Sequence, residues 1–288
     1  MIEMIIQSLP LAIFASVPLL LAVEGELVAE RAGMINLGIE GMMLTAAMTA
    51  VFAAQISGSI IAGLFGGIAG ALAVAAIFGF FSIRLKADQI VTGTAINLLA
   101  LGLTGFVYRE MQQSAIFVRS VPHVGAAAEN AIAIVSWIVI PILLSLMLWM
   151  TAFGLRLRAC GEYPRAVAAS GPSVAMHRWA ALVIEAVLVG AAGADLSLAL
   201  SSGFAENMTS GRGFIALSIV IFGRWKTRGI LLGTAVFGIA AALQYALQAM
   251  NQSLQFHLLL AIPYVVTLLI LCGIAGKVRA PESLGRDA

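Results

Sequence analysis

Charge is scarce in this chain. Only 10% of its 288 residues are Asp, Glu, Lys or Arg, 61% are hydrophobic, and the mean hydropathy is +1.03. A soluble domain carries about 25% charged and about 45–50% apolar residues. That contrast excludes an ordinary soluble fold and points to a chain that uses lipid as its apolar solvent. The net charge of +2 is too small for a nucleic-acid partner. Cysteine is sparse as well. Cys160 and Cys272 form no CxxC, which excludes a disulfide framework or a zinc ribbon and leaves two reduced thiols. The three histidines, His123, His177 and His257, lie far apart, and neither HExxH nor GxSxG occurs. A phosphate-binding P-loop is missing too, because Gly276-Lys277 is followed by Val278 instead of Ser or Thr. No enzyme constellation is left, and no metal or cofactor is expected on this chain. If ATP drives it, a partner chain binds the ATP and Mg and performs the hydrolysis.

What is present is hydrophobic length. A spanning helix needs about 20 mostly apolar residues. Charges and glycines divide the sequence into nine candidate spans: 4–23, 36–55, 59–83, 90–108, 131–153, 179–200, 209–223, 229–249 and 258–276. The first has no basic residues before it, its leading charge being Glu3, and reads as a retained span instead of a cleaved leader. The seventh is short and opens with Gly211 and Gly213, as a broken or half helix would. The expected class is an all-α polytopic membrane protein with a single transmembrane domain over residues 1–288.

Orientation follows from Lys and Arg, which stay on the cytoplasmic side. Of the sixteen, only Arg109, Arg119 and Arg212 fall in one set of alternating loops. The other set holds the rest, from Arg31 through Arg84, Arg156, Arg165 and Arg224 to Arg286. The N-terminus is therefore expected outside and the C-terminus inside. Two loops are long enough to hold structure: 109–130 outside and 154–178 inside. In the inner loop, Glu162 and Pro164 suit a helix start, Arg165 to Ser170 is alanine-rich, and Gly171-Pro172 stops it. A short helix anchored by spans at both ends is suited to a groove on a cytoplasmic partner; the plain alternative is a solvated connector.

Polar groups at membrane depth are costly, about 2.5–3.5 kcal/mol for an ionisable side chain on insertion scales, and usually face a bundle interior or an aqueous path. Here they are Asn36, Glu40, Asn97, Glu185, Asp195 and Gln244. Amides and hydroxyls suit a path for an uncharged, hydroxyl-rich solute. The alternative is that they bind helix to helix. Gly63, Gly66, Gly67 and Gly70 carry two overlapping GxxxG spacings, read as close packing within the chain. Gly33-Met-Ile-Asn-Leu-Gly-Ile39 resembles Gly213-Phe-Ile-Ala-Leu-Ser-Ile219, and by the expected topology the two copies enter the membrane from opposite sides. That is the pattern of an inverted repeat.

Several segments together resemble the permease subunits of nucleoside-type ABC importers, relatives of the ribose and branched-chain amino-acid permeases. They are Glu30-Arg-Ala-Gly-Met-Ile-Asn-Leu-Gly-Ile-Glu-Gly-Met-Met43, Ala87-Asp-Gln-Ile-Val-Thr-Gly-Thr-Ala-Ile-Asn97, Cys160-Gly-Glu-Tyr-Pro-Arg-Ala166, and Gly211-Arg-Gly-Phe-Ile-Ala-Leu217 with Ile221-Phe-Gly-Arg-Trp-Lys226. The resemblance runs in order over most of the chain. It implies a type II importer permease fold in a bacterial inner membrane and half of a translocation path for a nucleoside-like solute. It also implies three partners: a second, non-identical permease, a cytoplasmic ABC ATPase, and an extracytoplasmic solute-binding protein. By the same resemblance Gly161, Glu162, Arg165 and Gly171 belong to the ATPase coupling helix. Asn36, Glu40, Asp88 and Asn97 lie in the motifs nearest the path, with Gln244 added from its depth. Arg109, Arg119 and Arg212 are candidates for docking the binding protein. Two positions depart from the family pattern: Ala168 stands where an acidic residue is expected, and Tyr163 replaces a small amide. The same architecture serving a simple sugar, a nucleobase or another small polar solute is the alternative within this class. An ion-coupled secondary transporter is the alternative outside it and predicts transport without an ATPase.

Overall fold

The computed structural model describes residues 2–112, 121–122, 124–201, 203–250, 265 and 279–286. Among the described residues the fold is entirely helical, and seven helices are long and apolar enough to cross a membrane. The chain is a polytopic membrane protein. Its helices are α1 (Ile2–Arg31), α2 (Ile39–Ser57), α3 (Ile60–Gly79, continued by a wide π turn Phe80–Arg84) and α4 (Gln89–Gln112). Next, α5 (Ala126–Ile134) runs through a second π turn into α6 (Ile140–Met150) to make one span. Then come α7 (Ala152–Glu162), α8 (Pro164–Ala169), α9 (Val174–Asp195, continued by Leu196–Leu200), α10 (Arg212–Phe222) and α11 (Thr227–Met250). The expected ninth span, 258–276, lies outside the described residues except for helical Val265; so do Arg119, His123, His257 and Cys272.

Helix α1 is the axis of the fold. Leu20, Ala22, Val23, Leu27, Val28 and Ala29 are all fully buried, and α9, α10 and α11 pack around it. A helix apolar on every side is expected to lie inside a bundle. Helices α4 and α5–α6 are peripheral. Leu98 is 68% exposed, Phe106 63% and Met150 79%, so these faces meet lipid or another chain.

Two boundaries differ from those expected. The first span does not stop at Val23 but continues to Arg31, carrying Glu24, Glu26 and Glu30 into the interior. Charge suggested a loop there; the helix persists, with Glu26 accepting from the Asn36 N–H and Glu30 from the Trp225 indole. The inner segment 154–178 also holds more helix than expected. The expected short helix is α8, ended by Gly171 at φ +103. Before it comes α7, whose N-cap Thr151 accepts a hydrogen bond from the Gly154 N–H at 3.0 Å.

The glycine stripe of α3 packs inside the chain. A Cβ on Gly66 would sit 2.5 Å from the Ala53 Cβ, one on Gly70 would sit 2.3 Å from the Thr49 Oγ1, and one on Gly67 would sit 3.0 Å from the Gly190 carbonyl of α9. Helix α9 reciprocates, since a Cβ on Gly193 would meet the Met43 carbonyl at 2.5 Å. Backbone contacts of this kind tolerate no added methyl without displacement, which costs about 1–3 kcal/mol. Gly193→Ala should therefore lower the thermal unfolding midpoint of the detergent-solubilised chain. Gly102→Ala, at a position with open space around it, should leave the midpoint unchanged or raise it.

Candidate functional site

Residues 32–38, between α1 and α2, are not helical, yet most of them are buried. Backbone without helical partners inside a membrane protein must be satisfied by other groups. The N–H groups of Ala32, Gly33 and Met34 bond back to carbonyls of the last turn of α1; from Ile35 onward the partners come from other helices, from further back in α1 or from the segment itself. The Ile35 N–H donates to Gln89 Oε1 at 2.7 Å, and the Asn36 N–H to Glu26 Oε1 at 3.3 Å. Asn36 Oδ1 accepts from the Gly38 N–H at 3.0 Å, and its Nδ2 donates to Glu185 Oε1 at 2.7 Å. Asn97 bridges the break: its Nδ2 donates to the Leu37 carbonyl at 2.7 Å and its Oδ1 accepts from the Gly41 N–H at 2.8 Å. Gln89, Gly93 and Asn97 lie four residues apart and share one face of α4. Gly93 has no room for a Cβ, which would fall 2.6 Å from the Gly38 nitrogen.

Helix α10 is held at both ends by residues that flank this segment, Glu40 of α2 and Glu30 and Arg31 of α1. At its start, Glu40 accepts from the Gly211 N–H at 2.8 Å, the Gly213 N–H at 2.6 Å and the Thr209 hydroxyl at 2.5 Å. The carboxylate thus occupies the N-terminus of α10, where free N–H groups and the helix dipole favour negative charge. At its other end, Arg224 and Trp225 both have φ of 54°, a left-handed conformation that non-glycine residues rarely adopt. Glu30 and Arg31 fix that turn. The Trp225 indole N–H donates to Glu30 Oε2, and the Arg31 Nε donates to the Trp225 carbonyl at 2.9 Å. The eleven residues of α10 extend about 16 Å, close to half of a hydrocarbon core of about 30 Å. The half helix expected for the seventh span is therefore present.

A carboxyl cluster lies against the junction. Glu26, Glu30 and Glu185 are all essentially inaccessible to solvent, and Asn36 donates to both Glu26 and Glu185. Asp195 stands apart, beside Glu129 on a cavity of about 170 Å³.

At the end of α1, Arg31 and Arg158 both stack on Trp149, with guanidinium carbons 5.4 and 4.1 Å from the ring centre. Gly161 of α7 touches the same turn, since a Cβ there would lie 2.4 Å from the Arg31 carbonyl. Glu162 is half-buried, whereas Tyr163, Arg165, Ala168 and Gly171 are exposed around α8. Burial pushes the Cys160 thiol above its ordinary range, which keeps it a protonated, unreactive group.

The remaining sequence candidates sit elsewhere. Asp88 is exposed and caps α4, accepting from the Ile90 and Val91 N–H groups at 2.8 and 2.9 Å. Gln244 is buried on α11. Arg109 makes a bidentate pair with Glu206, both contacts at 2.8 Å, and Arg212 donates to the Met208 carbonyl at 2.9 Å. The hydrogen bond from Arg109 holds the Glu206 carboxyl below the usual range. Any stability from that pair is present above about pH 4.3, the ordinary Glu value, and is lost as pH falls through the depressed one. Glu26, Glu30, Gln89 and Trp225 were not among the candidates. Two signals could have found them: the four-residue spacing of Glu26 and Glu30 on one helix face, and that of Gln89, Gly93 and Asn97.

Glu40→Ala would leave two backbone donors and a hydroxyl unpaired in a buried place, at a cost on the order of 1–3 kcal/mol for each group. The variant should show a large drop in thermal midpoint and in membrane-inserted protein, with Glu40→Gln intermediate. An unaltered midpoint in Glu40→Ala would remove its structural role.

The four stretches that make this junction are those of the resemblance, and comparison with known proteins agrees. Residues 9–271 match the family described as branched-chain amino acid transport system, permease component. A nucleoside ABC transporter permease of Lactococcus lactis is 32% identical, over 94% of this chain and 92% of its own. A guanosine ABC transporter permease of Bacillus subtilis is 30% identical, over 96% and 94%. A Haloferax volcanii chain, described provisionally as a glucose ABC transporter permease, is 35% identical over 83% of this chain and 77% of its own. No solved structure matches. With the family matched over nearly its whole length and its motifs meeting at one buried junction, this chain belongs to the permease components of the branched-chain amino acid transport family.

Proposed function

We propose that this chain is one of two permease subunits of an ABC importer and carries an uncharged, nucleoside-like solute across a bacterial inner membrane. The observation that carries the solute class is the occupied N-terminus of α10. In transporters with broken helices, a half-helix N-terminus is a natural seat for an anionic group. Here Glu40 already fills it, so a carboxylate or phosphate on the solute would meet a like charge. Nucleosides are neutral and rich in hydroxyls, and two of the relatives are named for nucleosides or guanosine. The glucose name of the third favours a simple sugar as the second reading.

In this reading Asn36, Glu40 and Asn97 border the path as positioning groups, because their polar atoms are engaged by the protein, and Asp88 and Gln244 mark its flanks. The chain carries nine spans with the N-terminus outside and the C-terminus inside. The inverted repeat is supported by the contact of Glu40 with Gly211 and Gly213, and by residues 31–40 running antiparallel to α10. Helix α8 is the coupling helix, with Arg165 and Ala168 turned outward toward an ATPase that holds ATP and Mg. A binding protein docks at the opposite face, where Arg212 and the Arg109–Glu206 pair lie. ATP drives transport by favouring one of two arrangements of the chain.

Cells lacking this chain should lose uptake of labelled uridine and adenosine, with competition by nucleosides and not by pentoses, glucose or nucleobases. Competition by glucose alone would move the assignment to sugars. Arg165→Glu should retain ATPase activity while cutting uptake at least about tenfold, equivalent to ~1.4 kcal/mol of lost coupling; coupled uptake at the normal rate would exclude the role given to α8.

A further inference from the structure

Residues 279–286 return to the junction from the far end of the chain. The Ser283 N–H donates to the Gly161 carbonyl at 2.8 Å, and its hydroxyl reaches the carbonyls of Gly161 at 2.8 Å and Cys160 at 3.0 Å. Those carbonyls belong to the last turn of α7, which has no helical partners for them. Ser283 therefore acts as a C-cap supplied from elsewhere in the chain. Two residues on, the Gly285 N–H donates to the Gly33 carbonyl at 3.1 Å, and Arg178 Nη2 donates to the Arg286 carbonyl at 3.2 Å. Packing leaves no slack. Ser283 is 7% exposed, and a Cβ on Gly33 would lie 2.9 Å from its Oγ and 3.2 Å from the Gly161 Cα. Leu284 packs on the main hydrophobic core.

We propose that this C-terminal segment is a positioning element for coupling, in which Ser283 and Gly285 clamp the end of α7 to the turn after α1. A displacement of α8 is then passed directly to residues 32–38 and to α10, in place of being absorbed between α7 and α1. Gly285 has φ +70, and its Cβ position is 3.0 Å from Ile35 Cδ1, so the clamp also touches the broken segment itself. The proposal rests on the reading of α8 as the coupling helix.

The test uses the whole transporter, with both permeases, ATPase and binding protein, reconstituted in vesicles. Solute imported per ATP hydrolysed is compared for the unaltered chain, Ser283→Ala, Gly285→Ala and the exposed control Glu282→Ala. The expected result is assembled complexes that hydrolyse ATP throughout, with the ratio reduced about fivefold in the first two variants, the low end of typical coupling between sites, and unchanged in the control. A ratio equal to that of the unaltered chain in assembled Ser283→Ala and Gly285→Ala complexes would overturn the proposal. If Ser283→Ala does not assemble, Gly285→Ala decides alone. Uptake by the unaltered chain that needs no ATPase would instead remove the importer reading on which the clamp depends.

Discussion

The peptide groups of residues 32–38 are non-helical and mostly buried, and the arrangement around them follows from that. A helix satisfies its own backbone; this segment cannot, so the protein brings hydrogen-bonding groups to it from α1, α4 and α9. An unpaired buried donor or acceptor costs about 1–3 kcal/mol, and a native membrane fold cannot leave several of them open. Placing polar side chains beside the break in turn fixes which faces of those helices can meet. It also explains why the small residues lie where they do: Gly93 and Gly161 admit backbone to within contact distance of the segment. The break and its supports specify one another.

The polar residues of this chain fall into two mechanical kinds. Glu30, Arg31 and Glu40 hold the two ends of α10, one by charge at its N-terminus and the others by fixing a turn with two successive left-handed residues. Each such residue costs about 1–2 kcal/mol, so the turn at Arg224 and Trp225 depends on the contacts made by Glu30 and Arg31. Arg109, Asp88 and Arg212, by contrast, complete local caps and an exposed pair. The first kind holds a buried helix from distant parts of the sequence; in the second, Asp88 and Arg212 close the boundaries of single helices and the Arg109–Glu206 pair lies exposed.

Much of this was legible in the sequence because hydropathy acts over many residues at once. The helical class, the boundaries of α2 through α4, the short α10 and the short helix α8 follow from span length, Gly211, Gly213, Pro164 and Gly171. The extension of α1 was not legible. Glu24, Glu26 and Glu30 read as the end of a span because charge marks a boundary, and the groups that Glu26 and Glu30 meet, Asn36 and Trp225, are ten and nearly two hundred residues away. Asn36, Glu40 and Asn97 were singled out by depth and by their place in the motifs of the resemblance, and neither can say whether a side chain faces solute or a neighbouring peptide group. Periodicity did hold part of the answer, in Gln89, Gly93 and Asn97, but only a known broken segment opposite gives that face a meaning.

The return of residues 279–286 to Gly33 and Gly161 bears on how the molecule is made. In synthesis the turn after α1 emerges early and α7 midway, while Ser283 follows all the spans described here. Until it arrives, the last carbonyls of α7 and the carbonyl of Gly33 have no partner from the chain, and the two elements are not joined by it. The helices α1 to α11 must therefore all have been synthesised before this contact can close, so the joining of α7 to the turn after α1 by Ser283 and Gly285 follows the assembly of the helices that it joins.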